Sequence, residues 1–191
     1  MEKIRSQFGS WSSPISSDLI VNETVSLGQL SLDGEDIYWI EGRPAEGGRQ
    51  VLVKRTPDGN SHDITPDLYS CRSLVHEYGG ASYLIANETV YFSNYRDQRI
   101  YRQKPPGAPI PITPSGELRY ADGVYDHKRN RIIYILEDHS DSHRHPVNSL
   151  VSIDPAGIGQ AQPLVTGNDF YSSPRINPKA TQLAWITWNH P

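Results

Sequence analysis

One short strand pattern occurs four times in this chain and constrains its fold more than any other feature. It reads Ile37-Tyr38-Trp39-Ile40, Val90-Tyr91-Phe92-Ser93, Ile133-Tyr134-Ile135-Leu136 and Ala184-Trp185-Ile186-Thr187. Each copy is β-branched and aromatic, which suits a buried strand. Each follows a turn, at Asp33-Gly34, Ala86-Asn87-Glu88, His127-Lys128-Arg129-Asn130 and Pro178-Lys179-Ala180. The aromatic anchors at 38, 91, 134 and 185 are 53, 43 and 51 residues apart. A period of about 40 to 50 residues is that of a β-propeller blade.

Partner strands complete the pattern. In residues 28–66, Leu30, Leu32, Ile37 and Trp39 mark two strands across the Asp33-Gly34 hairpin. Gln50 to Arg55 alternates as a third strand, and His62 to Pro66 reads as a short outer one. The plan recurs over 82–114 and 120–167, and it starts again at 173–191 with two of four strands. The segments Asp63-Ile64-Thr65-Pro66 and Pro111-Ile112-Thr113-Pro114 match as blade ends, where an edge strand tolerates proline. No long segment places apolar residues at i, i+3, i+4 and i+7, so helices are not expected. The fold class is therefore all-β: a partial β-propeller of about three and a half four-stranded blades, with residues 1–27 as an irregular N-terminal arm. Because a blade cannot bury both faces alone, Tyr38, Trp39, Tyr91, Phe92, Tyr134 and Trp185 are expected to pack between blades. The polar run 137–146 reads as a long solvated loop.

Charge and cysteine content narrow the function. A net charge of −4 gives no basic excess for nucleic acid. The single cysteine, Cys71, cannot form an internal disulfide. Met1 to Ser17 lacks the apolar core of a secretory signal, and no window approaches the run of about 20 apolar residues that a membrane helix needs. A cytoplasmic location without membrane contact is expected. The sequons at Asn22 and Asn87 then read as chance matches.

Chemistry of the chain's own is sparse. Gly80-Ala81-Ser82-Tyr83-Leu84 approaches the G-x-S-x-G elbow of a hydrolase but ends in Leu and opens a strand rather than a helix. Cys71 with His76 nearby is a conceivable nucleophile–base pair, outweighed by an inert loop cysteine. His139, His143 and His145 sit among acids without a zinc spacing, so neither metal nor cofactor is expected. Phe8 and Trp11 are candidate docking anchors of the arm. His76-Glu77-Tyr78-Gly79-Gly80 is the best functional candidate by position. Glu77 has the chemistry to bind a substrate amine and Arg72 a carboxylate. The competing reading is structural, with the glycines allowing a tight backbone path and Glu77 pairing with a nearby Arg or His.

The ordered motifs also match a family. They are Gly9-Ser10-Trp11 with Ser13-Pro14-Ile15, Asp36 to Pro44, His76-Glu77-Tyr78-Gly79-Gly80, Tyr91-Phe92-Ser93-Asn94 and Gln98-Arg99-Ile100-Tyr101. Arg119-Tyr120-Ala121-Asp122-Gly123, Glu137-Asp138-His139, Gly167 to Tyr171, and Trp185 to Pro191 continue the series. Across essentially all 191 residues the chain resembles the N-terminal part of prolyl oligopeptidase-family serine peptidases, in the acylaminoacyl-peptidase or dipeptidyl-aminopeptidase-like branch. The resemblance implies a C-terminal α/β-hydrolase domain carrying a Ser-Asp-His triad. It implies a propeller that covers the active site and admits short peptides, and an arm reaching toward the hydrolase. The implied partners are that domain, the remaining blades and a peptide substrate. The sequence departs from the family by stopping about halfway round the propeller, so no catalytic residue carries over and the chain alone is expected to be inactive. A stand-alone TolB-like binding scaffold and a non-functional truncated product are the competing expectations.

Overall fold

The structure is a computed structural model that describes residues 5, 7–10, 13–22 and 24–191. Four antiparallel sheets follow one another along the chain. The first contains β1 (Ser26–Asp33), β2 (Asp36–Arg43), β3 (Arg49–Arg55) and β4 (Ser61–Asp63) in that order. The second contains β5 (Tyr83–Ala86), β6 (Thr89–Ser93), β7 (Ile100–Gln103) and β8 (Ile110–Pro111). The third contains β9 (Leu118–Asp126), β10 (Arg131–Asp138), β11 (Val147–Ile153) and β12 (Gln162–Val165). The fourth pairs β13 (Phe170–Ile176) with β14 (Leu183–Trp188). This nearly all-β array of sequential sheets is the blade series expected from the repeat.

Alternation within each strand builds the packing, because successive side chains leave opposite faces of a sheet. Tyr38, Ile40, Leu52 and Ile64 meet Tyr83, Val90, Phe92 and Tyr101 between the first two sheets. The intervening Tyr91 turns the other way, joining Ile100 and Ile112 against Tyr120, Ile132, Tyr134 and Val151. The neighbours of Tyr134 turn again: Ile133, Ile135 and Leu150 meet Tyr171 of the fourth sheet. Each large side chain so buried contributes roughly 1.5–3 kcal/mol. Trp39 and Trp185 depart from the expected packing and belong to none of these clusters. Trp39 is half-buried and donates Nε1–H to Glu41 (3.0 Å), and Trp185 is 37% exposed.

Three inner strands carry the same irregularity. β1, β9 and β13 each bulge, with Gln29, Asp122 and Ser173 in the left-handed region at φ +53°, +55° and +52°. A bulge frees one residue from the ladder and re-aims its side chain. Gln29 Oε1 accepts from Ser82 N (2.7 Å) in the next sheet. Asp122 reaches both neighbours: Oδ1 accepts from Ala81 N (2.6 Å) and Oδ2 from Ser173 N (3.0 Å).

Several boundaries differ from the sequence reading. The arm is not wholly irregular: Ser17–Asn22 forms a short helix, α1, with Ser16 Oγ accepting from Leu19 N, and β1 begins at Ser26. The outer strands β4 and β8 end at Asp63 and Pro111, short of Pro66 and Pro114, whereas β12 includes Pro163. β10 continues through Glu137 to Asp138, so the polar loop is shorter than expected, and Glu137 is buried at 4% exposure. Among the described residues no helix is long and apolar enough to cross a membrane.

Candidate functional site

The pairs Leu118↔Asp138 and Asp138↔Val147 bring together the starts of β9 and β11 and the end of β10, Phe170↔Trp188 does so for the start of β13 and the end of β14, and Asn148 Nδ2 donating to the Asp169 carbonyl (2.7 Å) joins the two groups. On this upper face the segment before β5 turns sharply. Glu77 N donates to Leu74 O (3.0 Å) and Gly79 N to Val75 O (2.8 Å). His76, Glu77 and Gly79 have φ of +55°, +63° and +85°. A Cβ on Gly79 would stand 2.9 Å from the Ser73 carbonyl, and one on Gly80 the same distance from Asp122 Oδ1, so both positions need glycine.

The turn drives His76 inward, leaving its side chain 4% exposed. Its Nε2–H donates to the Tyr171 carbonyl of β13 (3.1 Å), and its backbone N–H donates to Glu137 Oε1 of β10 (3.2 Å). Its Nδ1 lies 3.4 Å from the same oxygen. The other carboxylate oxygen, Oε2, meets His139 Nε2 (2.8 Å) and has Arg119 at 3.6 Å. Burial alone would lower the His76 pKa, but hydrogen bonds to Glu137 and the Tyr171 carbonyl outweigh it, and the net shift is upward. Burial alone would raise the Glu137 pKa, but hydrogen bonds from His76 and His139 prevail and hold it below the usual carboxylate range. When His76 is protonated the two form a buried ion pair, and the His76 contacts to Glu137 and the Tyr171 carbonyl tie the turn to the third and fourth sheets.

A cavity of about 330 Å³ opens beside this pair. His76, Glu77, Glu137 and His139 form one side, and Pro146, Asn148, Asp169, Phe170, His145 and His190 complete it. Phe170 stacks on Trp188 (5.2 Å, 16°) and takes His190 edge-on (4.8 Å, 75°). The arrangement offers an aromatic wall, carboxylates and imidazoles within one enclosure, suited to holding a small polar ligand rather than to covalent chemistry.

Of the residues singled out from sequence, His76 and Glu77 come together here. The Glu77 carboxylate is 80% exposed and accepts from Arg119 Nη1 (2.7 Å). Arg72 lies elsewhere, exposed, with its guanidinium 5.0 Å from the Tyr95 ring centroid. Phe8 is fully exposed, and Trp11 falls outside the described residues. Cys71 is buried, with its thiol pushed up to about 12 by burial, and its Sγ faces Ser82 Oγ at 3.4 Å. Ser82 itself donates to the Cys71 carbonyl and is 2% exposed. His139 and His145 line the cavity while His143 does not, and among the described residues no three ligating side chains gather for a metal.

The sequence reading missed Glu137, Arg119, Asn148, Asp169 and Phe170. The signal was present in the motifs Arg119 to Gly123, Glu137-Asp138-His139 and Gly167 to Tyr171. Nothing in their spacing reveals that the three converge.

No protein-family model matches the chain, and no curated protein matches it. Solved structures do. A puromycin-hydrolyzing peptidase of Mycobacterium tuberculosis is 32% identical, with a TM-score of 0.86 over 98% of this chain. A puromycin hydrolase is 27% identical, with a TM-score of 0.86 over 97% of this chain, and the same figures hold for a mutant of puromycin hydrolase complexed with PGG. The chain covers 31% of the length of each of the three.

Proposed function

Since the matched region is the N-terminal propeller portion of peptidases of the prolyl oligopeptidase family, we propose that this chain serves as the gating propeller segment of a serine peptidase. The match along nearly the whole chain carries the reading. In it, the nucleophile, base and acid come from an α/β-hydrolase domain outside these 191 residues, and the remaining blades complete the ring. The propeller restricts access to short peptides and related aminoacyl compounds. The upper face, where His76, Glu137 and the Phe170–Trp188 stack meet, is the surface presented to substrate. Arg72 and Phe8 serve as outlying contacts, to peptide and hydrolase respectively. Phe8 suits the latter role because it is fully exposed. The buried, unpaired Cys71 suits work in a reducing compartment such as the cytoplasm.

Neither candidate nucleophile is free to react, since both Ser82 and Cys71 are buried in structural contacts. The isolated 191-residue chain is expected to show no turnover of aminoacyl-nitroanilides above background. The peptidase containing it is expected to cleave them and to reject long peptides. Turnover by the isolated chain that survives Ser82→Ala and Cys71→Ala would contradict the proposal. So would a containing protein that cleaves dipeptides and long polypeptides equally well.

A further inference from the structure

At the opposite end of β9 and β10 from His76, where Asp126 pairs with Arg131, two turns meet. Arg129, in the turn between β9 and β10, donates Nη1–H to the Ala180 carbonyl in the turn between β13 and β14 (2.9 Å). A cavity of about 200 Å³ lies there, walled by Asp126, Arg129, Arg131, Thr181 and Gln182, and the rest of its lining is apolar. Two guanidiniums here share one carboxylate. Arg129 Nη1 and Arg131 Nε both donate to Asp126 Oδ2 (3.1 and 3.0 Å), and Asp126 is 1% exposed. Burial alone would raise its carboxyl, but hydrogen bonds from Arg131 and Arg129 hold it below the usual carboxylate range. It therefore stays ionised and offsets only one of the two cations. The acceptors around the cavity are taken: Asp126 by the arginines, the Ala180 carbonyl by Arg129, and Thr181 Oγ1 by Asn177 Nδ2 (3.0 Å). The donors are not. Both Nη groups of Arg131, and Nε and Nη2 of Arg129, have no hydrogen-bond partner among the described residues. The two side chains are 28% and 50% exposed, so a ligand can reach them. Lys128 and Lys179 stand exposed on the two turns. The charge left over is positive, in a chain whose net charge is −4.

We propose that this cavity binds a phosphate dianion, free or carried on a small ester. The phosphate oxygens accept from the Nη groups of Arg131 and from Nε and Nη2 of Arg129, in the forked geometry that a guanidinium offers an oxyanion. Lys128 and Lys179 add positive potential from the rim. A volume of about 200 Å³ is smaller than a drug-sized pocket and suits a phosphate with a short body. A carboxylate brings half the charge and one oxygen fewer to the same donors. The inference stands without the peptidase reading, because the carboxylate shared by two guanidiniums defines it.

The test titrates the chain with inorganic phosphate in about 0.1 M sodium chloride, which screens unspecific surface attraction. Binding is followed by calorimetry and by the Arg129 Nε–H resonance. Saturable binding that moves this resonance is expected, with acetate weaker by about tenfold or more. Arg129→Gln leaves Arg131 alone to offset Asp126 and is expected to weaken phosphate by about tenfold. Melting curves check that this variant keeps the fold. Lys128→Ala combined with Lys179→Ala changes only exposed side chains and is expected to weaken phosphate about two- to fivefold. A glycerol 2-phosphate arm separates the sources: tighter binding than inorganic phosphate assigns the phosphate of a small ester, and equal or weaker binding assigns the free ion. Acetate binding as tightly as phosphate, no saturation, or unchanged affinity in a folded Arg129→Gln variant would each overturn the proposal. Should Arg129→Gln not fold, unchanged affinity in the double lysine variant would overturn it.

Discussion

Thr65 Oγ1 accepts the backbone N–H of Leu52 at 3.0 Å, and Thr113 Oγ1 does the same for Ile100 at 2.9 Å. The preceding residues match too: Ile64 N donates to Leu52 O and Ile112 N to Ile100 O, both at 2.8 Å. A threonine hydroxyl thus replaces the ladder where the outer strand leaves the sheet ahead of Pro66 or Pro114. The repeated Ile-Thr-Pro is a strand terminator that satisfies the amide it exposes. Thr65 and Thr113 are 1% and 4% exposed, so no water substitutes readily. Thr65→Val and Thr113→Val keep the shape and remove the acceptor. Each is expected to cost about 1–3 kcal/mol in urea unfolding, with Thr→Ser losing less. A valine variant within experimental error of the parent would show that the hydroxyl is dispensable.

Asp122 is the tie among three consecutive sheets. It accepts from Ala81 on one side and Ser173 on the other, at a left-handed backbone position where Asp and Asn are tolerated better than Ala. Asp122→Ala removes both acceptors and strains the turn. A loss of about 3 kcal/mol or more is expected, from two hydrogen bonds to a charged group. Asp122→Asn preserves the conformation and one acceptor oxygen and is expected to lose less. Thermal unfolding of the two variants checks the order, and Asn as damaging as Ala would mean that charge rather than backbone conformation dominates.

These two cases show what the sequence could and could not reveal. The sheets were legible because each strand announces itself locally: Val90-Tyr91-Phe92 alternates between two interfaces, and the turn before it carries Asn87 and Glu88 in the left-handed region. Trp39 and Trp185 look like Tyr38 and Tyr91 in composition, and only the presence of a neighbouring sheet decides which are covered. The cavity was less legible. His76 was visible in a glycine-rich motif, but its partners Glu137 and Tyr171 lie 61 and 95 residues away. In the sequence Glu137 belongs with the loop, because Asp138 to His145 continues its polar character. Pairing in β10 makes it the penultimate residue of the strand, with its carboxylate facing a backbone N–H and two imidazoles. Asp122 was part of a recognised motif, yet a bulge that re-aims a carboxylate leaves no period to detect.

The buried His76–Glu137 pair sets the pH response of stability. The His76 pKa is raised in the folded chain, so its contribution is fully present below the unfolded value near 6.5 and is lost as pH rises through the folded value. The Glu137 pKa is lowered, so its contribution is present above the unfolded value near 4.5 and is lost as pH falls through the folded value. The pair therefore supports the fold best between about pH 4.5 and 6.5. Melting temperature measured from pH 4 to 9 is expected to decline on the alkaline side, and His76→Gln is expected to flatten that decline. Glu137→Gln is expected to abolish both effects. An unchanged alkaline slope in His76→Gln would assign the titration to another group.

Cys71 offers a direct reading of how tightly the first two sheets are joined. The thiol is fully buried between them, and burial pushes it up to about 12, so almost no thiolate exists at pH 8 in the folded state. Its Sγ also faces the Ser82 carbonyl at 3.7 Å, behind β5. Labelling by a disulfide reagent at pH 8 is therefore expected to need opening of the interface between the sheets. In the intact chain it should be slower than in denaturant by several orders of magnitude, and it should accelerate in Thr65→Val and in Tyr83→Ala, which loosen that interface. Measuring the labelling rate against urea concentration separates local from global opening: a rate that rises only through the unfolding transition means the first two sheets part only when the whole chain unfolds, whereas a denaturant-independent rate would place a local opening at the Cys71–Asn94 bridge.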